Sequence, residues 1–172
     1  PVTVTAGTLI IDASTGGIAG TSAAVLINNG ATVDIVGGKL TSNGYTVQIR
    51  GDGSRVEIGG NTSITGPAGV AIYGGSLSMS GGSIDATVYG IAGNGTYDGT
   101  TIVISGGNIA SDGNAIFHPQ EGDITISGGN ISGITGLWYS GAGKITISGG
   151  TIVSFDEDDR TVPWKPVEQD DG

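Results

Sequence analysis

The sequence predicts an all-β solenoid, a right-handed parallel β-helix of about seven coils with a roughly 22-residue repeat. Three observations predict it. The lines "IVISGGNI", "ITISGGNI" and "ITISGGTI", beginning at Ile102, Ile124 and Ile145, are near copies, and "VDIVGGKL" and "LSMSGGSI" are looser ones. Isoleucine outnumbers leucine 22 to 5, which suits pleated surfaces. No stretch of helix-forming residues occurs anywhere. Glycine fills 35 positions, but proline fills only 5 and the glycines have no three-residue period, so the composition is not that of collagen.

Taken in chain order, the repeat gives a column at Ile35, Ile58, Met79, Ile104, Ile126 and Ile147, spaced 21 to 25 residues apart. Around each member the chain alternates apolar and polar, turns on Gly-Gly, and adds one more apolar residue, which reads as strand, bend, strand. A further strand closes each unit in "AVLINNG", "TVQIRGDG", "GVAIYGG" and "GLWYSGAG", with Val25 and Ile27, Val47 and Ile49, and Val70 and Ile72 on one side. Such a unit cannot bury its own apolar edge, but stacked units bury a continuous column. Stacking sets successive isoleucines about 4.8 Å apart, each contributing about 1.5 to 3 kcal/mol when fully buried. Thr125, Ser127, Thr146 and Ser148 face outward. A leucine-rich repeat has a similar period but needs an L-x-x-L-x-L line with leucine dominance, and neither is present.

Two segments break the period. "IAGNGTYDGTT", from Ile91 to Thr101, is an insertion predicted to bulge as a loop carrying Tyr97 and Asp98. The solenoid is predicted to span residues 1–155. The acidic, proline-containing residues 156–172 then form a tail or linker, with Phe155 or Trp164 available to fold over the last coil.

The formal net charge is -10 with only six Lys and Arg, so the basic stripe that nucleic acid requires is lacking. No apolar run approaches the roughly 18 residues of a membrane-spanning helix. There is no cysteine and a single histidine, His118, so thiol chemistry and multi-imidazole metal sites are excluded. The glycine turns lack the Lys-Ser/Thr of a phosphate loop.

Aromatic side chains are few, and two fall in one column. In the strand before each glycine corner, the outward position holds Leu26, Gln48, Ala71, Ala92, Phe117 and Trp138 in successive coils. Two residues further on come Asn28, Arg50 and Tyr73. If the alternation holds, Phe117, Trp138, Tyr73, Gln48 and Arg50 share one outer face with the Tyr97 loop beside it, an arrangement suited to sugar rings and their hydroxyls. A slip of one residue would instead bury Phe117 and Trp138 and expose His118 and Tyr139.

Asp34 and Glu57 occupy equivalent outward positions in adjacent coils, with Asp12 read one coil earlier. Their mutual repulsion calls for relief by Ca²⁺ or by Arg50, Arg55 or Lys39. No other cofactor is implied. The pair also has the spacing of retaining glycosidase carboxylates, but a flat solvated strand provides no wall to raise the pKa of an acid.

The repeated lines resemble the bacterial right-handed parallel β-helix proteins of the pectate-lyase-like superfamily, from about Thr8 to Phe155. Small size and the acidic tail make the chain similar to the β-helix carbohydrate-binding modules attached to secreted, xylan-type plant-polysaccharide hydrolases. The resemblance implies a secreted or cell-surface setting, an extended polysaccharide as ligand, and a covalently linked catalytic domain. It implies binding through Trp138, Phe117, Tyr73 and Tyr97. Two other expectations stand beside it. One is a polysaccharide lyase or glycosidase built on Asp34 and Glu57. The other is a structural or adhesin spacer, or an ice-binding solenoid presenting the Ser and Thr rows.

Overall fold

The computed structural model describes residues 1–94, 96 and 98–155. Among these are fourteen strands and no helix: β1 Val2–Val4, β2 Thr8–Gly20, β3 Val25–Ile27, β4 Thr32–Ser42, β5 Tyr45–Arg50, β6 Arg55–Tyr73, β7 Ser76–Met79, β8 Ser83–Ala92, β9 Thr100–Ile104, β10 Asn108–Ser111, β11 Asn114–His118, β12 Gly122–Gly133, β13 Thr135–Tyr139 and β14 Ile145–Ser154. Every pairing is parallel. The chain is a parallel β-solenoid of about seven turns with a spacing of about 22 residues. The expected tail, with Trp164, and the Tyr97 position lie outside the described residues.

Each coil contributes one rung to each of three faces, and several strands bend through a corner to serve two of them. Face 1 stacks Ile11, Ile35, Ile58, Met79, Ile104, Ile126 and Ile147 in direct register. Face 2 stacks Ile18, Leu40, Ile64, Ile84, Ile109, Ile131 and Ile152. On face 3 the column is Val2, Val25, Val47, Val70, Ile91, Ile116 and Leu137. The three columns meet in one apolar core. β-branched side chains dominate because each sits between identical neighbours above and below on a pleated surface.

The corner between faces 1 and 2 is the Gly-Gly pair. Its second glycine has a positive φ in the six copies from Gly38 to Gly150, 90° at both Gly107 and Gly129, but not at Gly17 in the first coil. Any Cβ at Gly129 would also press on the backbone of Gly106 and Gly107 in the coil below.

The column has a member that the repeat did not reveal. Ile11 pairs with Ile35, but Ile18 lies seven positions after Ile11 where Leu40 lies five after Ile35, so the first coil carries two extra residues at this corner and its Gly17 pairs with Lys39. This insertion also corrects the position of Asp12. The residue in register with Asp34 is Ile10, whereas Asp12 pairs with Gly37 at the corner, after a bulge in β4.

Candidate functional site

Face 3 carries most of the aromatic side chains on its outside. Val70 and Ile72 belong to the core, so Ala71 between them points outward, and its column runs Leu26, Gln48, Ala71, Ala92, Phe117, Trp138 in unbroken register. Phe117 and Trp138 stack with centroids 4.5 Å apart and planes 13° from parallel. Tyr89 lies against the other side of Phe117 at 5.2 Å. Among the described residues no ring covers the second face of Trp138, which is 39% exposed.

At the other end of the face, Tyr45 and Tyr73 meet edge to face at 6.2 Å. They start from opposite ends of neighbouring rungs, with Gln48 and Ala71 between them, and Ala71, outward by register, is 0% exposed. Arg50, in register with Tyr73, lies over its ring at 5.6 Å, and Arg50 Nη2 donates to Gln48 Oε1 at 2.7 Å. The structure therefore brings Gln48, Arg50, Tyr73, Phe117 and Trp138 onto one face.

Tyr45 and Tyr89 were not read from the sequence as part of this face, because simple alternation puts Tyr45 on the same side as Val47 and Ile49. The backbone bends there. Thr46 is fully buried, and a Cβ at Gly69 or Gly90, which follow Thr46 in the stack, would run into Ile84 or Ile109 of face 2. Two consecutive positions thus point inward, and the residue before them points out. The signal for this was the run of Gly69, Gly90 and Gly136 at equivalent places.

Behind the aromatic face lies a buried polar cluster at the corner leading to face 1. His118 is 0% exposed, and burial lowers its pKa from 6.5 to about 4. His118 Nε2 lies 3.1 Å from Thr100 Oγ1, and that hydroxyl donates to the Glu121 carbonyl at 3.3 Å, so the imidazole is the donor and Nδ1 is left without a partner. Tyr139 stacks on His118 at 5.7 Å and donates to the Gly122 carbonyl. Its phenol pKa is raised by desolvation and then by Asp123 and Glu121. These groups are structural partners of one another, with His118 and Thr100 buried and Tyr139 partly buried over them.

On face 1, Asp34 and Glu57 are in register, as their sequence spacing implies, but Asp12 is displaced from them. Arg55 Nε and Nη2 both donate to Glu57 Oε1, at 2.8 and 2.6 Å. Asp34 Oδ1 is enclosed and without a hydrogen-bond partner. Among the described residues no three His, Asp or Glu side chains converge as metal ligands do. An ion-paired carboxylate on an open strand face has neither the walls nor the free geometry that acid–base work needs.

The insertion after β8 lines an open cleft of about 620 Å³ with Asp52, Ser54, Ser76, Thr96, Asp98 and Thr101. It is polar and carries no aromatic side chain among its described lining.

No protein-family model, no curated protein and no solved structure matches the chain.

Proposed function

We propose that the chain is a non-catalytic carbohydrate-binding module whose face 3 takes an extended plant cell-wall polysaccharide of the xylan type. The carrying observation is the outward concentration of Tyr45, Tyr73, Tyr89, Phe117 and Trp138 on one of three faces. Aromatic surface beside polar donors suits pyranose rings, which are apolar on their C–H faces and hydrogen-bonding at their rims. The rings of Tyr89, Phe117 and Trp138 stack on one another, so Trp138 offers a sugar its open face and Phe117 offers its edge. The Gln48-to-Trp138 column crosses four inter-coil steps, about 19 Å, enough for several sugar units laid along the solenoid axis. A secreted setting and a linked catalytic domain belong to the same proposal.

Isothermal titration of the chain with soluble xylan, glucan and pectin tests it. Trp138→Ala is expected to weaken the bound glycan by about tenfold or more, the scale of one lost stacking platform. Absence of binding to all three glycans, or binding unaffected by Trp138→Ala, would count against face 3 as the site.

A further inference from the structure

Charge divides the three faces unequally. The chain has 16 Asp and Glu, yet the rungs of face 3, namely Val2–Val4, Val25–Ile27, Tyr45–Arg50, 68–73, 89–92, Asn114–His118 and Thr135–Tyr139, contain none. Face 1 bears Asp34, Glu57 and Asp123, and face 2 bears Asp85. The same face 3 rungs contain one cation, Arg50.

Arg50 is exposed, and among the described residues its guanidinium makes no ion pair; the single bridge there joins Arg55 to Glu57. That is notable in so acidic a chain. The group is nonetheless held in place. Gln48 fixes Nη2 from one side and the Tyr73 ring supports the guanidinium plane. A guanidinium held by neutral partners keeps its remaining N–H donors unclaimed by protein carboxylates, available for two parallel hydrogen bonds to an oxyanion. Elsewhere the surface would repel such a group, and on face 3 no carboxylate competes for the arginine.

Resting on the polysaccharide reading above, we infer that the ligand of face 3 is an acidic glycan, and that Arg50 is the specificity residue that takes its carboxylate or sulfate group. The glycan backbone then runs over the aromatic row from Tyr73 toward Trp138. Its anionic substituent sits over the Gln48–Arg50–Tyr73 end.

Titration calorimetry of the chain against three xylans tests this: unsubstituted, glucuronate-bearing and chemically sulfated. At low ionic strength the acidic chains are expected to bind about tenfold more tightly than the neutral one, the scale of one charge-assisted pair. The difference should shrink in 0.5 M NaCl as screening sets in. Arg50→Gln should abolish the difference between acidic and neutral xylan measured on the same variant, while Arg50→Lys should restore part of it. The anion whose gain depends on Arg50 identifies the natural group. Equal binding of neutral and acidic xylans, or a difference that survives Arg50→Gln, overturns the inference and leaves the polysaccharide reading standing. Absence of binding to any of the three removes both.

Discussion

Gln120 Nε2 donates a 2.9 Å hydrogen bond to the carbonyl of Ile72, two coils below and 48 residues earlier in the chain. The intervening coil cannot make this bond, because β8 ends at Ala92 and the chain departs into the insertion. The glutamine side chain therefore stands in for a missing backbone rung. Its Oε1 accepts from the Asn94 N–H at the base of that insertion, and its Nε2 also approaches Thr100 Oγ1. Gln120 is 1% exposed, so every one of these partners is lost to protein if the amide is removed. Gln120→Ala is expected to cost about 2 to 4 kcal/mol, the sum of stranded buried polar groups and a cavity. Urea denaturation measures it. Gln120→Glu should be at least as damaging at pH 7, since it keeps the acceptor but buries a charge where a donor is needed. Fast hydrogen exchange at the Asn94 amide in both variants would show that the insertion has come loose.

His118 gives stability a pH dependence with a defined sign. Its folded pKa, about 4, lies below the ordinary 6.5, so the unfolded chain takes up a proton near pH 6.5 that the folded chain refuses. The contribution is fully present above pH 6.5 and fades as pH falls toward 4, by up to about 3 kcal/mol. His118→Met, which keeps the volume and removes the titration, should flatten this part of the curve. Urea midpoints at pH 7.5 and 4.5 for both proteins test it, and an equal acid loss in the two would assign the effect to other groups.

The face 1 column predicts a gradient along the rod. Ile126 is 0% exposed between Ile104 and Ile147, whereas Ile147, on the last described rung, is 54% exposed. Ile126→Ala should cost about 3 to 4 kcal/mol and Ile147→Ala less than about 1.5 kcal/mol. Comparable losses at the two sites in urea denaturation would mean that Ile147 is covered in solution.

The columns were legible because parallel in-register stacking makes a repeat periodic in one number. Ile35 to Ile147 could be aligned by eye, and the Gly-Gly pair dated each corner. What was not legible depended on the backbone leaving that period. Asp12 was misplaced because two inserted residues in the first coil shift its register, so that Ile10, 65% exposed, takes the position beside Asp34. Tyr45 was passed over because Thr46 and Val47 both point inward, which breaks alternation at a bend. Gln120 gave no sign at all, since its role depends on a gap left by a different coil. The outward row from Gln48 to Trp138 was readable only as one of two parities, which the burial of Ile116 and His118 on either side of Phe117 resolves.

That parity also fixes what Phe117 does for stability. A phenylalanine in the core would cost about 3 to 5 kcal/mol on truncation. Phe117 lies outside, so its contribution comes from stacking between Tyr89 and Trp138, and such ring pairs contribute only about 0.5 to 1.5 kcal/mol each beyond area burial. Phe117→Leu should therefore shift the urea midpoint by no more than about 2 kcal/mol. The near-ultraviolet circular dichroism of Trp138 should change sharply, because the indole loses its parallel neighbour. Ala92→Leu supplies the converse case: the column is seated under rings at that point, and a larger side chain should push Phe117 away from Trp138 and alter the same spectrum without removing any aromatic group. A large loss of stability in Phe117→Leu with an unchanged tryptophan spectrum would put the ring back inside the tube and take the binding face with it.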